Sequence, residues 1–289
     1  MDWSRRALFA SVCGASLSLA GCLSGRPRAN GESWVGELTV AVTTSTYDSG
    51  FATYLHGAFE AAERVRLRTV SGGSGETIAA GERGDVDVVM AHARELEERF
   101  LDSGYGAERH PFAHSDFVVC GPPEDPVGVA DTTDAVSALE RIAEASHRFL
   151  SRGDNSGTHY RERALWREAG IDPAGEWYTE SGSGMGETLV QASQRGAYTL
   201  AVRANAVDVR SRLEVAVHVE GPTTGGDPRL ENPYSLLPVR STARPGVDHE
   251  LAARYVAFLT GERGQRLVSE FSIDGEQVFV PADAAASRP

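Results

Sequence analysis

Three times in this chain a short apolar run gives way to glycines and hydroxyl residues and then to a helical pattern, and this repeated unit constrains the fold more than any other feature. In the first unit, residues 38–42 read as a strand, and residues 43–50 gather Thr43, Thr44, Ser45, Thr46, Ser49 and Gly50. Phe51, Tyr54, Leu55, Ala58 and Phe59 then share one helix face. In the second, strand 65–70 leads through Ser71-Gly72-Gly73-Ser74-Gly75 into a helix over 76–82, and residues 83–90 add a turn and a buried strand. In the third, Arg148-Phe149-Leu150 leads through Ser151-Arg152-Gly153-Asp154-Asn155-Ser156-Gly157-Thr158-His159 into a helix with Tyr160, Ala164, Leu165 and Trp166 on one side. Strands alternating with helices predict an α/β fold.

Such loops have a shared chemistry. Glycines and hydroxyls entering a helix offer free backbone N–H groups, hydroxyl donors and the positive end of the helix dipole, and Arg152 adds a permanent charge with planar donors. A simpler reading has Ser156 or Thr158 capping the helix, Asp48 or Ser49 capping another, and Arg152 paired with Asp154 at the surface. Recurrence of the unit favours helix starts that converge on one dianion at the carboxyl edge of the sheet.

Charge narrows the partners. The sequence holds 28 Lys+Arg against 41 Asp+Glu, a net charge of -13, and every basic residue is arginine. So acidic a surface suits high salt and points to a halophile. It offers no basic stripe for nucleic acid, so a bound anion must be held by local donors. Without lysine there is no phosphate loop of the Gly-Lys-Ser/Thr kind and no Schiff base. No His-Glu-x-x-His and no Gly-x-Ser-x-Gly occurs, so neither a zinc protease nor a nucleophile elbow is expected, and no metal site is assigned. The eight histidines are scattered and read mostly as surface residues. Cys120 lies in an apolar strand and reads as a small buried hydrophobe.

The amino terminus reads as an export signal. Ser4-Arg5-Arg6 opens a twin-arginine pattern, a short apolar stretch follows, and Leu19-Ala20-Gly21 precedes Cys22. Residues 1–21 are therefore expected to be removed, Cys22 to carry lipid, and residues 22–37 to act as a tether.

Further along, residues 95–103 read as a charged, solvated helix, residues 117–122 as a buried strand, and residues 135–145 as an amphipathic helix. The turn-rich Ser181-Gly182-Ser183-Gly184-Met185-Gly186 opens a helix to 194 and is expected to bring Met185 near a cleft. Strands are expected near 196–201, 213–219 and 233–239, and helices over 251–259 and 264–271, whereas residues 223–226 carry no readable signal.

Taken together, these residues resemble the tungstate-binding lipoprotein family (the TupA type) of ABC importers. The matching pieces are Thr43-Thr44-Ser45-Thr46 with Asp48-Ser49-Gly50, Arg83-Gly84-Asp85-Val86-Asp87, Asp116-Phe117-Val118-Val119, Ser151-Arg152-Gly153-Asp154 with Ser156-Gly157-Thr158-His159, Gly175-Glu176-Trp177-Tyr178, Gly184-Met185-Gly186, Gly196-Ala197-Tyr198-Thr199-Leu200 and Asp227-Pro228-Arg229-Leu230 with Asn232-Pro233-Tyr234. Departures lie at Val42, where the family has one more threonine, at Ser74 in the usual Gly-Thr-Gly, and at Ala201-Val202-Arg203-Ala204.

The resemblance implies a two-lobed, type II periplasmic-binding-protein-like fold. Residues 38–115 plus 238–289 would form one lobe and residues 116–237 the other, with ligand in the cleft between them. It implies Thr44, Ser45 and Ser74 as anion ligands from the first lobe and Arg152, Ser156 and Thr158 from the second, with Thr43, Gly73, Met185 and Tyr198 as outer candidates. The implied ligand is tungstate or molybdate, with no cofactor, and the partners are an ABC permease and its ATPase. The implied protein is a lipid-anchored, extracytoplasmic monomer and not an enzyme. Phosphate or sulfate is the nearest rival ligand, Asp154 being available to accept a phosphate proton. An exported hydrolase using His159 or His114 is the rival of a different class.

Overall fold

The structure, a computed structural model, describes residues 34–240 and 246–285. The expected signal, Cys22 and most of the tether lie outside the described residues, and the tether's last residues already belong to the fold, because the first strand opens at Gly36. From Trp34 onward the chain forms one compact unit.

In chain order the elements begin with β1 (Gly36–Thr43), α1 (Thr44–Asp48), α2 (Phe51–Glu63), β2 (Val65–Gly72), α3 (Ser74–Arg83), β3 (Val88–Ala91), α4 (Arg94–Asp102) and β4 (His110–Gly121). The middle of the chain supplies α5 (Ala135–Glu144), β5 (Phe149–Ser151), α6 (Gly157–Glu168), β6 (Tyr178–Glu180), α7 (Met185–Arg195), β7 (Thr199–Val202), α8 (Arg203–Val209) and β8 (Ala216–Val219). The chain closes with β9 (Glu231–Pro238), α9 (His249–Thr260), α10 (Glu262–Glu270), β10 (Ser272–Ile273), β11 (Glu276–Gln277), β12 (Val280–Pro281) and α11 (Ala282–Ala285).

The first lobe is a sheet in the order β12-β4-β9-β3-β1-β2, with β1 parallel to β2 and β3, and β9 antiparallel to β3 and β4. The near-continuous buried runs of β1 and β3 are what a sheet covered on both faces requires. Leu38, Val40, Val42, Val88 and Met90 pack into a core with Phe51, Leu55, Phe59 and Tyr255. Ala41, Val89 and Ala91 pack on the other side with Ile78, Leu96 and Phe100. Val42, at the first departure from the family pattern, is thus core rather than ligand-facing.

β4 is one continuous strand that serves both lobes. Its residues from His110 to Asp116 pair with β9, and those from Phe117 to Cys120 pair antiparallel with β7, with β8 on the other side of its end. The second lobe adds β5 beside β6, on which α6 rests through Trp166 against Phe149, ring centroids 5.2 Å apart.

Local readings changed in four places. The hydroxyl-rich segment after β1 is a helical turn, α1, not an open loop. α4 is not merely solvated, for Glu97 is fully buried, accepting from the Ala93 N–H and from Arg109 Nε at 2.7 Å. Of the eight histidines only His249 is exposed, while His56 and His92 are buried. The unreadable stretch at Thr223 is anchored on the crossing strand, where its N–H and hydroxyl both donate to the Asp116 carboxylate.

Candidate anion-binding site

On the first lobe, the carboxyl ends of β1, β2 and β3 place Thr43, Ser74 and His92 at one edge of the sheet. Thr43 Oγ1 lies 2.7 Å from Thr46 Oγ1 and 3.3 Å from Ser45 Oγ. His92 Nε2 stands 3.1 Å from both Ser45 Oγ and Thr43 Oγ1, and His92 Nδ1 is 2.9 Å from Asn232 Oδ1. Burial pushes the His92 imidazolium down to about 4, so the ring is neutral at pH 7. Thr44 is half-buried, and its hydroxyl makes no hydrogen bond among the described residues. Ser74 opens α3, and the preceding Gly73 spends its N–H on Glu76 Oε2 at 2.8 Å.

On the second lobe, the turn between β5 and α6 needs left-handed backbone at Gly153, φ 61°, where an added Cβ would come within 2.6 Å of the Glu180 side chain. The turn buries Arg152 to 2% exposure. Its Nη2 donates to Asp154 Oδ2 at 2.5 Å and its Nε to the Ser183 carbonyl at 3.4 Å. Desolvation lowers the Arg152 pKa, opposed by Asp154 and Asp48, and a guanidinium stays charged regardless. Ser156 caps α6, its Oγ accepting the His159 N–H at 3.3 Å, which leaves the hydroxyl proton uncommitted. Thr158 Oγ1 is buried and has no hydrogen-bond partner among the described residues. The simpler reading of this loop is therefore half present: the cap and the Arg152–Asp154 pair exist, but the pair is buried, not superficial.

The two sides touch. Gly157 N–H, at the start of α6, donates to Ser74 Oγ at 3.0 Å, and Asn205 Nδ2 on α8 donates to the Ser45 carbonyl at 3.3 Å. A Cβ at Gly157 would sit 2.9 Å from the His92 carbonyl oxygen, so glycine is what lets the lobes approach this closely. The charge of Arg152 acts on both His92 and Asp48 of the opposite lobe. Ser45, Ser74, Arg152 and the first turn of α6 are thus gathered in one place.

Two outer candidates fall elsewhere. Met185, fully buried, packs with Val118, Cys120, Leu189 and Ala201 in an apolar cluster, because the first residue of α7 points its side chain into the lobe rather than the cleft. Tyr198 is spent on structure, its hydroxyl donating to Asp125 Oδ1 at 2.6 Å and its ring filling the space beside Gly121. Residues not anticipated are His92, Asn232 and Asn205. A histidine among hydroxyl and glycine loops carries no motif, yet His92 directly follows a strand, as Thr44 does, and that placement was its one sequence signal.

A family model described as a PBP superfamily domain matches residues 29–263. This chain belongs to the PBP superfamily. A Haloferax volcanii protein whose name refers to anion binding for an ABC transporter is 42% identical over 299 residues, covering 99% of this chain and 87% of that one. The tungstate-binding protein TupA of Peptoclostridium acidaminophilum is 35% identical over 250 residues, 85% of this chain and 86% of the relative. Among solved structures, the tungstate ABC transporter protein from Geobacter sulfurreducens matches with a TM-score of 0.75 and 38% identity, over 81% of this chain and 98% of the other. As a superfamily member the chain has the two-lobed, type II binding-protein architecture. Within that architecture the departure at Arg203 goes into ion pairs with Glu220 and Glu276, and Asn205 two residues later reaches the cleft.

Proposed function

We propose that this protein captures tungstate, or its near twin molybdate, between its lobes outside the cytoplasm and delivers it to an ABC permease and its ATPase. It does so without catalysis. The observation that carries this reading is that the Gly157 N–H at the start of α6 donates to Ser74 Oγ, so that hydroxyl-bearing helix starts of the two lobes meet beside the loop that holds the buried Arg152. A fully deprotonated tetrahedral dianion needs donors and no acceptor. Asp154, the acceptor a phosphate proton would need, already takes Arg152 on one oxygen and the Ser156 N–H on the other, 3.1 Å away. The relatives named for tungstate support the same ligand.

The reading includes export by the twin-arginine route, a lipid on Cys22 and a monomer whose lobes, residues 38–115 with 238–289 and residues 116–237, close over the anion as rigid halves. Thermal denaturation with tungstate, molybdate, sulfate and phosphate in turn tests the ligand, since binding to the native state alone raises the midpoint. Tungstate and molybdate should give the largest shifts. A larger shift with phosphate would overturn the reading. Cys22→Ser should release the protein from membranes, and full retention would remove the lipid anchor from it.

A further inference from the structure

The buried His92 stands beside two first-lobe hydroxyls, its Nε2 3.1 Å from both Ser45 Oγ and Thr43 Oγ1. We propose that His92 is a positioning residue that absorbs the Thr43 proton, so that the neighbouring Ser45 hydroxyl is free to donate to the bound oxyanion. This deepens the tungstate reading and rests on it.

Asn232 lies between His92 and Tyr234, with Oδ1 2.9 Å from His92 Nδ1 and Nδ2 3.2 Å from the Tyr234 hydroxyl. An amide carbonyl only accepts, so His92 Nδ1 carries the ring proton and Nε2 presents its lone pair. That lone pair takes one hydroxyl proton, and Thr43 and Ser45 compete for it from 3.1 Å each. If Ser45 donates to the ring, an anion beside Ser45 meets the lone pairs of that hydroxyl rather than its proton. If Thr43 donates, the Ser45 proton is released toward the cleft, and Thr43 Oγ1 can accept from Thr46, 2.7 Å away. A dianion selects the second arrangement by its field alone, through rotation of two hydroxyl protons and no movement of heavy atoms.

His92 is held for this task. Its ring stacks on Tyr234, centroids 4.7 Å apart and planes 13° from parallel, and the start of α6 covers it from the second lobe. Asn232 and Tyr234 lie on β9, which runs beside the continuous strand β4. The histidine is thus fixed by the strand pair that serves both lobes, while the hydroxyls it orders belong to the first.

Nitrogen-detected NMR of the purified protein at neutral pH reads the ring directly. The expected result is a neutral His92 with its proton on Nδ1. A proton on Nε2, or a charged ring, would overturn the proposal whatever anion the protein binds, and this arm does not depend on tungstate. Calorimetric titration with tungstate then compares His92→Gln, whose amide oxygen can reach the Nε2 position, with the ring-preserving His92→Phe. The Gln variant should bind within about threefold of the parent and the Phe variant at least about tenfold more weakly, the scale of one hydrogen bond to a charged group. A purely packing role would reverse that order, because Phe keeps the stacked ring. Equal affinity of Phe variant and parent would overturn the proposal. Asn232→Ala, which leaves every hydroxyl in place, should show a mixed tautomer and weakened binding, and an unchanged tautomer would also overturn it. A parent that binds none of tungstate, molybdate, sulfate and phosphate sinks the functional reading, and the donor role of Ser45 with it, even where the tautomer is as expected.

Discussion

The two walls of the cleft solve the same problem by different means. The first-lobe wall is neutral: Thr43, Ser45 and Ser74 are hydroxyls, and the buried base beside them is an uncharged imidazole. The second-lobe wall carries the formal charge, a guanidinium buried behind the start of α6 and held by Asp154 and the Ser183 carbonyl. A buried charge is costly to hold without a partner, and Asp154 supplies one before any ligand arrives. Hydroxyls need no such partner, and their protons can turn. On the proposed function, charge would supply attraction from one side, while adjustable donors on the other side would match the ligand's oxygens.

The largest expected effect comes from removing the charge. Arg152→Ala should cost about 2–5 kcal/mol of tungstate binding and strand Asp154, while Arg152→Gln, which keeps donors but no charge, should fall between Ala and the parent. Isothermal titration of folded variants measures both, and parent-like affinity in Arg152→Ala would remove the distinction between the walls.

Buried groups in the two lobes should also make opposite contributions to the pH dependence of stability. Burial pushes Glu162 on α6 up to about 7 from 4.5, even though it accepts from Tyr178 at 2.8 Å and Trp166 at 3.2 Å. Between those values the folded state holds a proton that the unfolded state has released, so this group lowers stability as pH rises, by about 3 kcal/mol across the window. His56 and His92, both pushed down to about 4 from 6.5, bind fewer protons folded than unfolded and so add stability as pH rises through that range. Subtracting the urea-unfolding pH profile of Glu162→Gln from that of the parent isolates the falling contribution. A difference that is flat from pH 4.5 to 7 would refute it.

Single hydroxyls come next. Ser45→Ala or Ser74→Ala should each weaken tungstate binding by about 1.5–3 kcal/mol, one hydrogen bond to a charged group, and leave the fold intact. Equal losses at both positions would sharpen the picture of one neutral wall, and no loss at either would move the ligand elsewhere. The smallest effect belongs to charge outside the cleft. Arg212→Gln breaks an exposed pair with Asp208 and should change thermal stability by no more than about 0.5 kcal/mol and affinity not measurably.

Local chemistry was legible wherever a pattern has a short period. Short apolar runs located β1, β2 and β9, helical spacing located α2, α6 and α9, and the loops after β1, β2 and β5 announced donor groups without any knowledge of their neighbours. Reading failed where the partner is distant in sequence. Glu97 looked solvated because Arg109, which pairs with it, lies on the far side of a turn. Met185 looked ligand-facing because spacing does not tell which side of α7 the lobe will cover.

The sequence by itself determined that this chain alternates strand and helix, that the loops after β1, β2 and β5 are rich in hydroxyls and glycines with one arginine among them, and that no lysine is available, because each of these is a property of residues within a few positions of one another. Only the tertiary structure decided that Ser74 meets Gly157 from 83 positions away, that Asn232 stands beside the His92 ring from 140 positions away, and that Arg152 is buried when its loop reads as surface. Those outcomes depend on how two lobes sharing β4 come together, and contacts between distant segments are set by the packing of the whole sheet.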